Sequence, residues 1–566
     1  MKNCKLAFES SFTIEPISKY FTKVCNKYGI EPSLYFGPYN SYHQDALNDE
    51  SELYAFKPDV VVLAVRLEEA MPDFVYGFNP DRDYQIEIKG VISSIEIVIS
   101  ALKKNSEAAV LVHNFELPRR KSLGVFDLQI SNGQRATIWK LNAELSVIAR
   151  KFRDVYVFDV EDLEATVGKN NWTDDRMWAI AKMPLSRTAL EALSEEYVKY
   201  LIPVLRMTKK CLVLDLDNTL WGGIVGEDGY NGIKMDDNYP GIAYREFQRV
   251  ILDLYKKGTI LAINSKNNYD DAIEVIKNHP DMLLRENHFA STRINWNDKA
   301  SNIRQIAAEI NIGLDSMVFL DDNPAEREMI RQHVPEVLVP ELPANPLKYA
   351  SFLAELPVFE NLNITTEDRE RGEMYAAQVK RSVFENTTSS MDEFLSGLQM
   401  KLVIGKVDDF STPRVAQLTQ KTNQFNLTTK RYTEEEISKF AKSDDYITLY
   451  AQLIDRFGDN GITGTVIIKK NGDEWQIDTF LLSCRVMFRT VEDAIMAYML
   501  EIARCSKVRS ITGEYIPTKK NLPVKDLYRR LNFSLVAEKG ESSLWHMDVN
   551  EARLKTPAWF DVQVKV

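Results

Sequence analysis

Two aspartates, Asp215 and Asp217, end an apolar run in the segment CLVLDLDNTLWGGIVGEDG, 211–229. The apolar run predicts a buried strand, and a buried carboxylate is costly, all the more beside a second one that repels it. Residues i and i+2 of a strand share a face, so both carboxylates can point to one site. This spacing therefore indicates a place where a cation offsets the charge.

Further polar side chains follow the apolar strings of the same region. Ser265 ends TILAINS, Asp321 and Asp322 end SMVFLDD, and Lys299 opens a predicted helix. In an open parallel sheet, ligands bind outside the carboxyl ends of the strands. Several carboxylates at that edge need a hard cation, and oxygen-only ligation favours Mg²⁺. A lysine and a hydroxyl beside the cation suit the oxygens of a phosphoryl group.

This set of residues predicts phosphoryl transfer through a covalent intermediate. Asp215 attacks phosphorus and forms an aspartyl-phosphate, while Ser265 and Lys299 hold the transferring group. Asp217 protonates the leaving group and then activates the acceptor as a base. Mg²⁺ screens the charge between the carboxylate and the incoming anion. Its expected ligands are Asp215, Asp217, Asp321 and Asp322.

Strands and helices must alternate to place these residues, and the pattern over 206–350 does so. CLVLDLD, TILAINS, SMVFLDD and EVLVP predict strands. Helices are predicted over 243–257, 269–278, 299–311 and 325–333. The result is a doubly wound fold around a parallel sheet. A proline-rich link, PELPANP, closes this region.

The flanking regions predict two further domains. Residues 1–205 alternate strands (KLAFESSFT, DVVVLAV, AAVLVHNF, DVYVFDV) with helices over 92–104, 138–152 and 190–205, which indicates a second parallel α/β fold. A charged helical connector is predicted within 351–390, centred on 365–381. Residues 391–566 carry the consecutive strands MKLVIGKV, YITLYAQLID, GITGTVIIKK and EWQIDTFLLS, then helix 491–504 and SITGEYI. They predict an α+β domain with an antiparallel meander.

Composition narrows the class of protein. The chain has 566 residues and a net charge of −12, which argues against binding to nucleic acid because that requires a basic surface. No apolar run reaches the length of a membrane span, and the first residues lack the apolar core of a signal peptide. Five scattered cysteines form no disulfide framework. We therefore expect a cytoplasmic protein that acts without a membrane.

The strings DLDNT, NSKN, NDKASNI and LDDNPAER resemble, in order, the four motifs of the haloacid dehalogenase (HAD) phosphatase superfamily. The longer strings DLDNTLWGGIVGEDG and FLDDNPAER resemble its FkbH-like branch, subfamily IIIC. The resemblance implies a Rossmann-like HAD core and a Mg²⁺-dependent phosphatase or phosphotransferase that acts on a small phosphorylated metabolite.

The resemblance extends to both flanking regions. LTQKTNQFNLTTKRYT and LLSCRV look like the C-terminal part of FkbH-like proteins, which is similar to GNAT acyltransferases, and the first region resembles an SGNH-hydrolase-like domain. The best-known members take 1,3-bisphosphoglycerate, remove phosphate and load the glyceryl group onto an acyl carrier protein. The resemblance thus implies acyltransferase activity and an acyl carrier protein as partner.

One departure from the family pattern concerns the carrier of the acyl group. Members that load glycerate commonly have CSKN where this chain has NSKN, and a thiolate is a natural acyl carrier. Asn264 cannot form a thioester. Cys484 in LSCRV is the remaining candidate for the acyl carrier within a motif. The alternative interpretation is that Cys484 is a buried structural cysteine.

A second departure affects the binding of coenzyme A. The family pattern RVIGRGVE places two glycines where backbone N–H groups meet a pyrophosphate, but this chain has RVMFRTVE, 485–492, with Phe488 and Thr490 at those positions. Free acetyl-coenzyme A is therefore not the expected donor. Arg485 and Arg489 are candidates for binding a phosphopantetheine arm. The alternative interpretation is that both arginines are solvated surface residues at the start of a helix.

The first region lacks part of a hydrolase site. Ser10 or Ser11 stands where an SGNH nucleophile follows the first strand, but the late segment TDDRMWAIAKMPLS has aspartates and no histidine. The region's histidines are His43 and His113. A serine without a base is weakly nucleophilic, so we expect a non-catalytic docking domain.

Three functions stay open from the sequence. The first is an FkbH-type enzyme that passes an acyl unit to a carrier protein or a sugar. The second is a simple small-molecule phosphatase in polysaccharide or polyketide biosynthesis. The third is a non-catalytic scaffold that binds a carrier protein. The short loop GEDGYNGIKMDDNYPG leaves no room for a large cap, and an open site suits a bulky partner.

Overall fold

The computed structural model describes residues 1–364, 374, 377, 381, 384, 385, 387–540 and 542–565. Most of the predicted connector, 365–381, lies outside the described residues. The chain divides into two compact units, Met1–Thr208 with Leu356–Leu362, and Lys209–Glu355 with Asn363–Val566. The three boundaries between the four segments drawn from the sequence stay predictions.

The first unit is built on a five-stranded parallel sheet with the order β2-β1-β3-β4-β5. Its strands are β1 (Lys2–Ser10), β2 (Ile30–Phe36), β3 (Val60–Ala64), β4 (Ala109–His113) and β5 (Val155–Phe158). The sequence did not predict β2, because this edge strand, IEPSLYF, is only partly buried and has no continuous apolar run. The other four strands match the predicted ones.

Helices cover the sheet of the first unit. Buried apolar residues of the helices Gln85–Asn105 and Gln134–Ala149, including Ile88, Ile95 and Leu141, pack with β3 and β4 in one core. The helices are α1 (Ile17–Lys27), α2 (Tyr42–Leu47), α3 (Glu52–Phe56), α4 (Leu67–Ala70), α5 (Pro72–Tyr76), α6 (Gln85–Asn105), α7 (Gln134–Ala149), α8 (Val160–Val167), α9 (Lys169–Trp172), α10 (Asp175–Ala181) and α11 (Arg187–Val204).

The second unit begins with a four-stranded parallel sheet of order β8-β7-β6-β9. Its strands are β6 (Cys211–Leu214), β7 (Ile260–Ser265), β8 (Phe289–Ile294) and β9 (Met317–Leu320). Its helices are α12 (Val225–Asp228), α13 (Gly241–Lys256), α14 (Tyr269–Asn278), α15 (Lys299–Glu309), α16 (Pro324–His333) and α17 (Tyr349–Ala354). The doubly wound pattern predicted for this region is therefore present.

Two strand assignments in this domain differ from the prediction. The edge strand β8, FASTRI, was missed because half of its residues are polar or only partly buried. The predicted strand EVLVP pairs only at Leu338, through one bridge to Val318. Val337 and Val339 are buried there, so the apolar string reflects core packing. Flanking prolines, Pro335 and Pro340, have no N–H groups with which to extend a ladder.

The C-terminal part of the second unit is an α+β domain. Its sheet has the order β16-β17-β15-β14-β13-β12-β10-β18, with β11 paired to β14, and the meander β12-β13-β14 is antiparallel as predicted. The strands are β10 (Met400–Lys406), β11 (Phe425–Asn426), β12 (Tyr446–Asp455), β13 (Gly458–Asn471), β14 (Glu474–Leu482), β15 (Ser510–Tyr515), β16 (Ser534–Lys539), β17 (Ser542–Asp548) and β18 (Phe560–Lys565). Its helices are α18 (Met391–Gly397), α19 (Thr412–Lys421), α20 (Glu434–Lys442), α21 (Val491–Cys505) and α22 (Leu527–Arg530).

No helix in the described parts of the chain combines the length and the apolar composition that a membrane span requires.

Candidate active site

The pairing of β6 with β9 places two aspartates side by side. Leu214 lies opposite Leu320 in the parallel register, so the next residue of each strand, Asp215 and Asp321, emerges at the same edge of the sheet. The backbone N–H of Asp215 extends the ladder by donating to the carbonyl of Leu320 at 3.0 Å. The carboxyl ends of the strands thus form the base of the site, as the sequence predicts.

Three carboxylates meet at this edge. One oxygen from each of Asp215, Asp321 and Asp322 lies within 4.8 Å of the others. Burial, and then the charge of Asp215, raise the pKa of Asp321 to about 7 and that of Asp322 to about 6, although Lys299 opposes both shifts. Crowded oxygen ligands of this kind fit a hard divalent cation such as Mg²⁺, which would offset their mutual repulsion.

Lys299 lies between two of the three carboxylates. Its Nζ donates to Oδ1 of Asp215 at 2.8 Å and to Oδ2 of Asp321 at 2.6 Å, and the side chain is 4% exposed. Burial disfavours its charge, but attraction to Asp215 and Asp321 outweighs this effect and raises the pKa of Lys299. The side chain of Asp298 caps helix α15 by accepting from the N–H groups of Ala300 and Ser301, which fixes Lys299 in the first turn.

Asp217 is held apart from this cluster by three hydrogen-bond donors. Its Oδ1 accepts from Trp221 Nε1 at 2.8 Å and from the N–H of Val225 at 3.1 Å, and its Oδ2 accepts from Asn267 Nδ2 at 2.9 Å. Burial raises the pKa of Asp217, and these three hydrogen bonds only partly oppose that shift. The three hydrogen bonds hold the carboxylate in a fixed position, which suits a general acid or base. The predicted role of Asp217 as a metal ligand stays a prediction.

Ser265 lies at the end of β7, next to this carboxylate. The side chain is 1% exposed, and its hydroxyl oxygen is 3.3 Å from Nδ2 of Asn267. The same Nδ2 donates to Asp217, so Asn267 couples the predicted phosphate-binding hydroxyl to the predicted acid/base. Asn267 was not singled out from the sequence, although it ends the NSKN string.

Asn264 connects β7 to helix α15. Its Nδ2 donates to the backbone carbonyl of Lys299 at 2.9 Å, and its Oδ1 accepts from Nδ2 of Asn302 at 3.1 Å. Asn264 and Asn302 are fully buried. Asn264 thus binds the first turn of α15, which carries Lys299.

Two further residues organise the loop that contains Asp321 and Asp322, and sequence reasoning missed both. Arg327 is 5% exposed, and its Nη1 donates to the carbonyls of Asp321 at 2.7 Å and Asp322 at 2.8 Å. The hydroxyl of Thr219 accepts from the N–H of Asp322 at 3.2 Å. Thr219 ends the motif string DLDNT and Arg327 ends LDDNPAER. Their place inside these motifs was the sequence feature that could have indicated a role at the site.

The two arginines proposed for a phosphopantetheine arm have protein partners. Arg489 is 4% exposed; it donates to Asp455 Oδ2 at 3.2 Å and to the carbonyl of Arg485 at 2.7 Å. Burial, and then the charge of Arg381, lower the pKa of Arg489 to about 10. Arg485 contacts Ser483 and Met374. These contacts give both arginines structural roles, and arm binding stays a prediction.

The side chain of Cys484 is not among those that the structure describes. Its backbone lies in a short 3-10 helix, Cys484–Val486. The proposed role of Cys484 as an acyl carrier therefore stays a prediction.

The two positions that lack glycine retain a backbone conformation favoured by glycine. Phe488 has φ +65° and Thr490 has φ +57°, both in the left-handed region. The Phe488 side chain is 73% exposed. The substitutions thus change the side chains at this turn and leave its positive φ angles in place.

The candidate nucleophiles of the first unit are engaged in backbone hydrogen bonds. Ser10 Oγ donates to the carbonyl of Phe12 at 2.5 Å, and Ser11 Oγ accepts from the N–H of Arg66 at 2.9 Å. His113 Nε2 lies 2.7 Å from the hydroxyl of Tyr197, and burial lowers the pKa of His113 to about 3. His43 lies 3.1 Å from Ser94 instead. The non-catalytic role of this unit stays a prediction.

Comparison with known proteins identifies two parts of the chain. Residues 23–201 match the sequence model of the FkbH N-terminal domain. The chain is also similar to the crystal structure of the N-terminal part of protein BF1531 from Bacteroides fragilis, which contains a phosphatase domain and is complexed with Mg. That match covers 64% of this chain and 96% of that one, at 29% identity and a TM-score of 0.57. The predicted resemblance to FkbH-like HAD proteins is thereby confirmed.

Acetyltransferases of the GNAT family match a smaller part of the chain. The GNAT domain of S. lividans PAT aligns with 26% of this chain and 89% of its own, at 14% identity and a TM-score of 0.22. A GNAT acetyltransferase from Streptococcus pneumoniae aligns with 26% of this chain and 99% of its own, at 18% identity and a TM-score of 0.21. No curated protein sequence matches the chain.

The predicted fold class is confirmed, with two parallel α/β domains followed by an α+β domain. That the first domain is similar to SGNH hydrolases stays a prediction.

Proposed function

We propose that this chain is a Mg²⁺-dependent HAD-type phosphohydrolase or phosphotransferase that acts on a small phosphorylated metabolite through an aspartyl-phosphate on Asp215. The observation that carries the proposal is the buried cluster of Asp215, Asp321 and Asp322 with Lys299 between two of them. The similarity to a Mg-bound phosphatase-domain structure supports the same class of enzyme. A purely structural role gives no reason to bring three carboxylates together where one lysine contacts only two of them.

Asp215, Asp321 and Asp322 would hold the metal ion. When bound, Mg²⁺ supplies positive charge that balances these carboxylates and polarises a phosphoryl oxygen. Arg327 and Thr219 hold the backbone of the loop on which two of these ligands stand.

The residues divide the two chemical steps between them. In the first step an oxygen of Asp215 bonds to phosphorus, the bond from phosphorus to the leaving oxygen breaks, and Asp217 gives that oxygen a proton. In the second step Asp217 takes a proton from water or an acceptor hydroxyl, whose oxygen bonds to phosphorus as Asp215 leaves. Lys299 and Ser265 hold the phosphoryl oxygens in both steps.

We extend the proposal to an acyl phosphate as substrate and an acyl carrier protein as partner, as the family resemblance implies. This acyl transfer is a reaction separate from phosphoryl transfer to Asp215: the carrier thiol would lose its proton, attack the carbonyl carbon and form a thioester, while the bond from that carbon to the phosphate oxygen breaks and phosphate leaves. Support comes from exposed aromatic residues after β7 and β8. Tyr269 and Trp296 are 49% and 70% exposed, and the indole of Trp296 donates to Asn268, the residue after Asn267. Exposed aromatic side chains are typical of surfaces that bind a protein partner.

The test uses the full chain with Mg²⁺ and a panel of acyl phosphates and sugar phosphates. We expect phosphate release that EDTA abolishes, that Asp215→Asn removes, and that Asp253→Asn on the exposed face of α13 leaves unchanged. If no substrate yields phosphate, or if Asp215→Asn acts at the wild-type rate, the proposal is wrong. A mass gain on a carrier protein would support the acyl acceptor, and phosphate release without it would leave a simple phosphatase.

A further inference from the structure

The first unit contains a crevice of its own, at the carboxyl ends of its parallel strands. Its cavity volume is about 70 Å³. The segments that follow four of the strands contribute to its lining through Phe12, Val65, Asn114 and Val160. In open α/β sheets this edge is where small ligands bind, and the cavity has room for several water-sized groups, which suits a short ligand.

Most of the lining is apolar. The apolar side chains that complete its walls are Leu67, Val75, Leu117, Trp172, Leu185 and Leu193. A ligand for this crevice therefore needs an apolar part, because burial of apolar surface is the main source of its binding energy.

Charged side chains of the crevice are mostly paired with protein partners. Three ion pairs involve them, namely Arg66 with Glu68 at 2.6 Å, Lys169 with Glu164 at 3.0 Å, and Arg119 with Asp175 at 3.1 Å. The carboxyl group of the lining that takes part in none of these three pairs is that of Glu116.

Glu116 differs from the other charged residues of the lining. Its Oε1 accepts a hydrogen bond from Trp172 Nε1 at 2.9 Å, and no ion pair to it is found among the described residues. Burial raises the pKa of Glu116 to about 7; the charge of Arg66 opposes this shift and that of Glu164 adds to it. A carboxyl group in this environment gains most from a cation that enters with a ligand.

Thr173 provides a second, independent polar feature. It follows α9, lines the crevice, and its buried hydroxyl oxygen makes no hydrogen bond within the described part of the chain. A buried hydroxyl without a partner costs free energy that a ligand's donor group can recover.

We propose that this crevice binds a small organic cation, a primary ammonium group on a short apolar chain, with Glu116 as the anionic anchor and Thr173 as an acceptor. An ammonium group has three N–H donors and no acceptor, so it can satisfy the carboxylate and the hydroxyl oxygen together. The apolar chain would lie against the leucines of the walls. The site is separate from the aspartate cluster of the phosphatase-like domain and does not depend on its activity.

The experiment titrates the full chain with n-butylammonium and, in parallel, with n-butanol and butyrate as probes of equal chain length. Ligand-observed NMR and the melting temperature report binding. We expect saturable binding of n-butylammonium and at least about tenfold weaker binding of the alcohol and the carboxylate, since a charge-assisted hydrogen bond is lost in both. Competition between probes shows whether they share one site.

Variants locate the binding in the crevice. Glu116→Gln keeps an oxygen for the Trp172 indole, so the fold should survive while the affinity for n-butylammonium falls at least about tenfold. Thr173→Val should weaken binding by a smaller factor, and Glu107→Gln on the exposed surface should leave it unchanged. Equal binding of all three probes, or an unchanged affinity in a folded Glu116→Gln variant, would overturn the proposal.

Discussion

The side-chain amide of Asn264 donates a hydrogen bond to the backbone carbonyl of Lys299. This contact ties the end of β7 to the first turn of α15 and so sets the position from which the lysine reaches Asp215 and Asp321. At the position where the family resemblance leads us to expect a cysteine in acyl-loading members, this chain has an amide that positions Lys299.

Asn264→Cys is expected to weaken both stability and phosphate release. The thiol is a poor substitute for the amide, so the Lys299 carbonyl and the Asn302 amide each lose one hydrogen bond in a buried place, at a net cost of about 0.5–1.5 kcal/mol each. The melting temperature and the rate of phosphate release measure the effect. Asn278→Cys, on the exposed end of α14, is the matched control. An active variant that forms a thioester at residue 264 would contradict this interpretation.

The sequence predicted the core of this site because its residues follow strands. Asp215, Ser265 and Asp321 come directly after apolar strings, and the rule for parallel sheets brings strand ends to one edge. It could not predict how the carboxylates would be grouped. Asp217 is two residues from Asp215, yet contacts from Trp221 and other donors hold its carboxylate separately.

Residues that bind backbone atoms could not be predicted from the sequence, for a different reason. Arg327 binds carbonyl oxygens, and a carbonyl is present at every position of a chain, so no spacing of side chains reveals such a contact. Edge strands such as β2 and β8 were missed because a strand that pairs on one side keeps polar residues.

Asp217→Asn is expected to trap the covalent intermediate. An amide can keep much of the hydrogen bonding at this position but cannot take a proton from water, so the second step should slow by at least about 100-fold. With an aryl phosphate, whose leaving group needs less protonation, the first step should survive. Intact-protein mass spectrometry should then show one added phosphoryl group, which the double variant with Asp215→Asn lacks. Equal slowing of both steps would argue against a base at Asp217.

Arg327→Lys is expected to weaken metal activation without unfolding the domain. Nη1 of Arg327 donates to the carbonyls of Asp321 and Asp322, while Nη2 pairs with Glu341. A lysine keeps the charge but has a single nitrogen that cannot make all three contacts with the same geometry. The loop that holds two carboxylates should lose order, and the Mg²⁺ concentration for half-maximal phosphate release should rise about 10- to 100-fold. Arg331→Lys is the control, because Arg331 contacts the carbonyl of Val339 and not this loop. An unchanged Mg²⁺ midpoint would rule out this role for Arg327.

Glu9 should make the stability of the first unit fall as pH rises. It is fully buried, neither carboxyl oxygen has a hydrogen-bond donor among the described residues, and burial, followed by the charge of Asp45, raises its pKa from 4.5 to about 9. Between these values the folded state holds a proton that the unfolded state has released, so the free energy of unfolding decreases with pH and is highest below pH 4.5.

Glu9→Gln tests this linkage, since glutamine stays neutral throughout. The variant should be more stable than the wild type at pH 8, and the difference should shrink toward pH 5. Melting temperatures across that range measure it, with Glu31→Gln on the exposed side of β2 as control. A wild type whose melting temperature rises from pH 5 to pH 8 in parallel with the variant would contradict the buried, protonated state of Glu9.

Phe488→Gly is expected to stabilise the C-terminal domain. The left-handed backbone costs a side-chain-bearing residue about 1–2 kcal/mol, whereas glycine adopts it freely. The ring is 73% exposed, so its removal loses little packing. Phe410 is 90% exposed and is not among the residues with positive φ, so Phe410→Gly should lower the melting temperature through the greater freedom of the unfolded chain. If both variants lower the melting temperature equally, the turn at Phe488 is not strained and its positive φ has no energetic consequence.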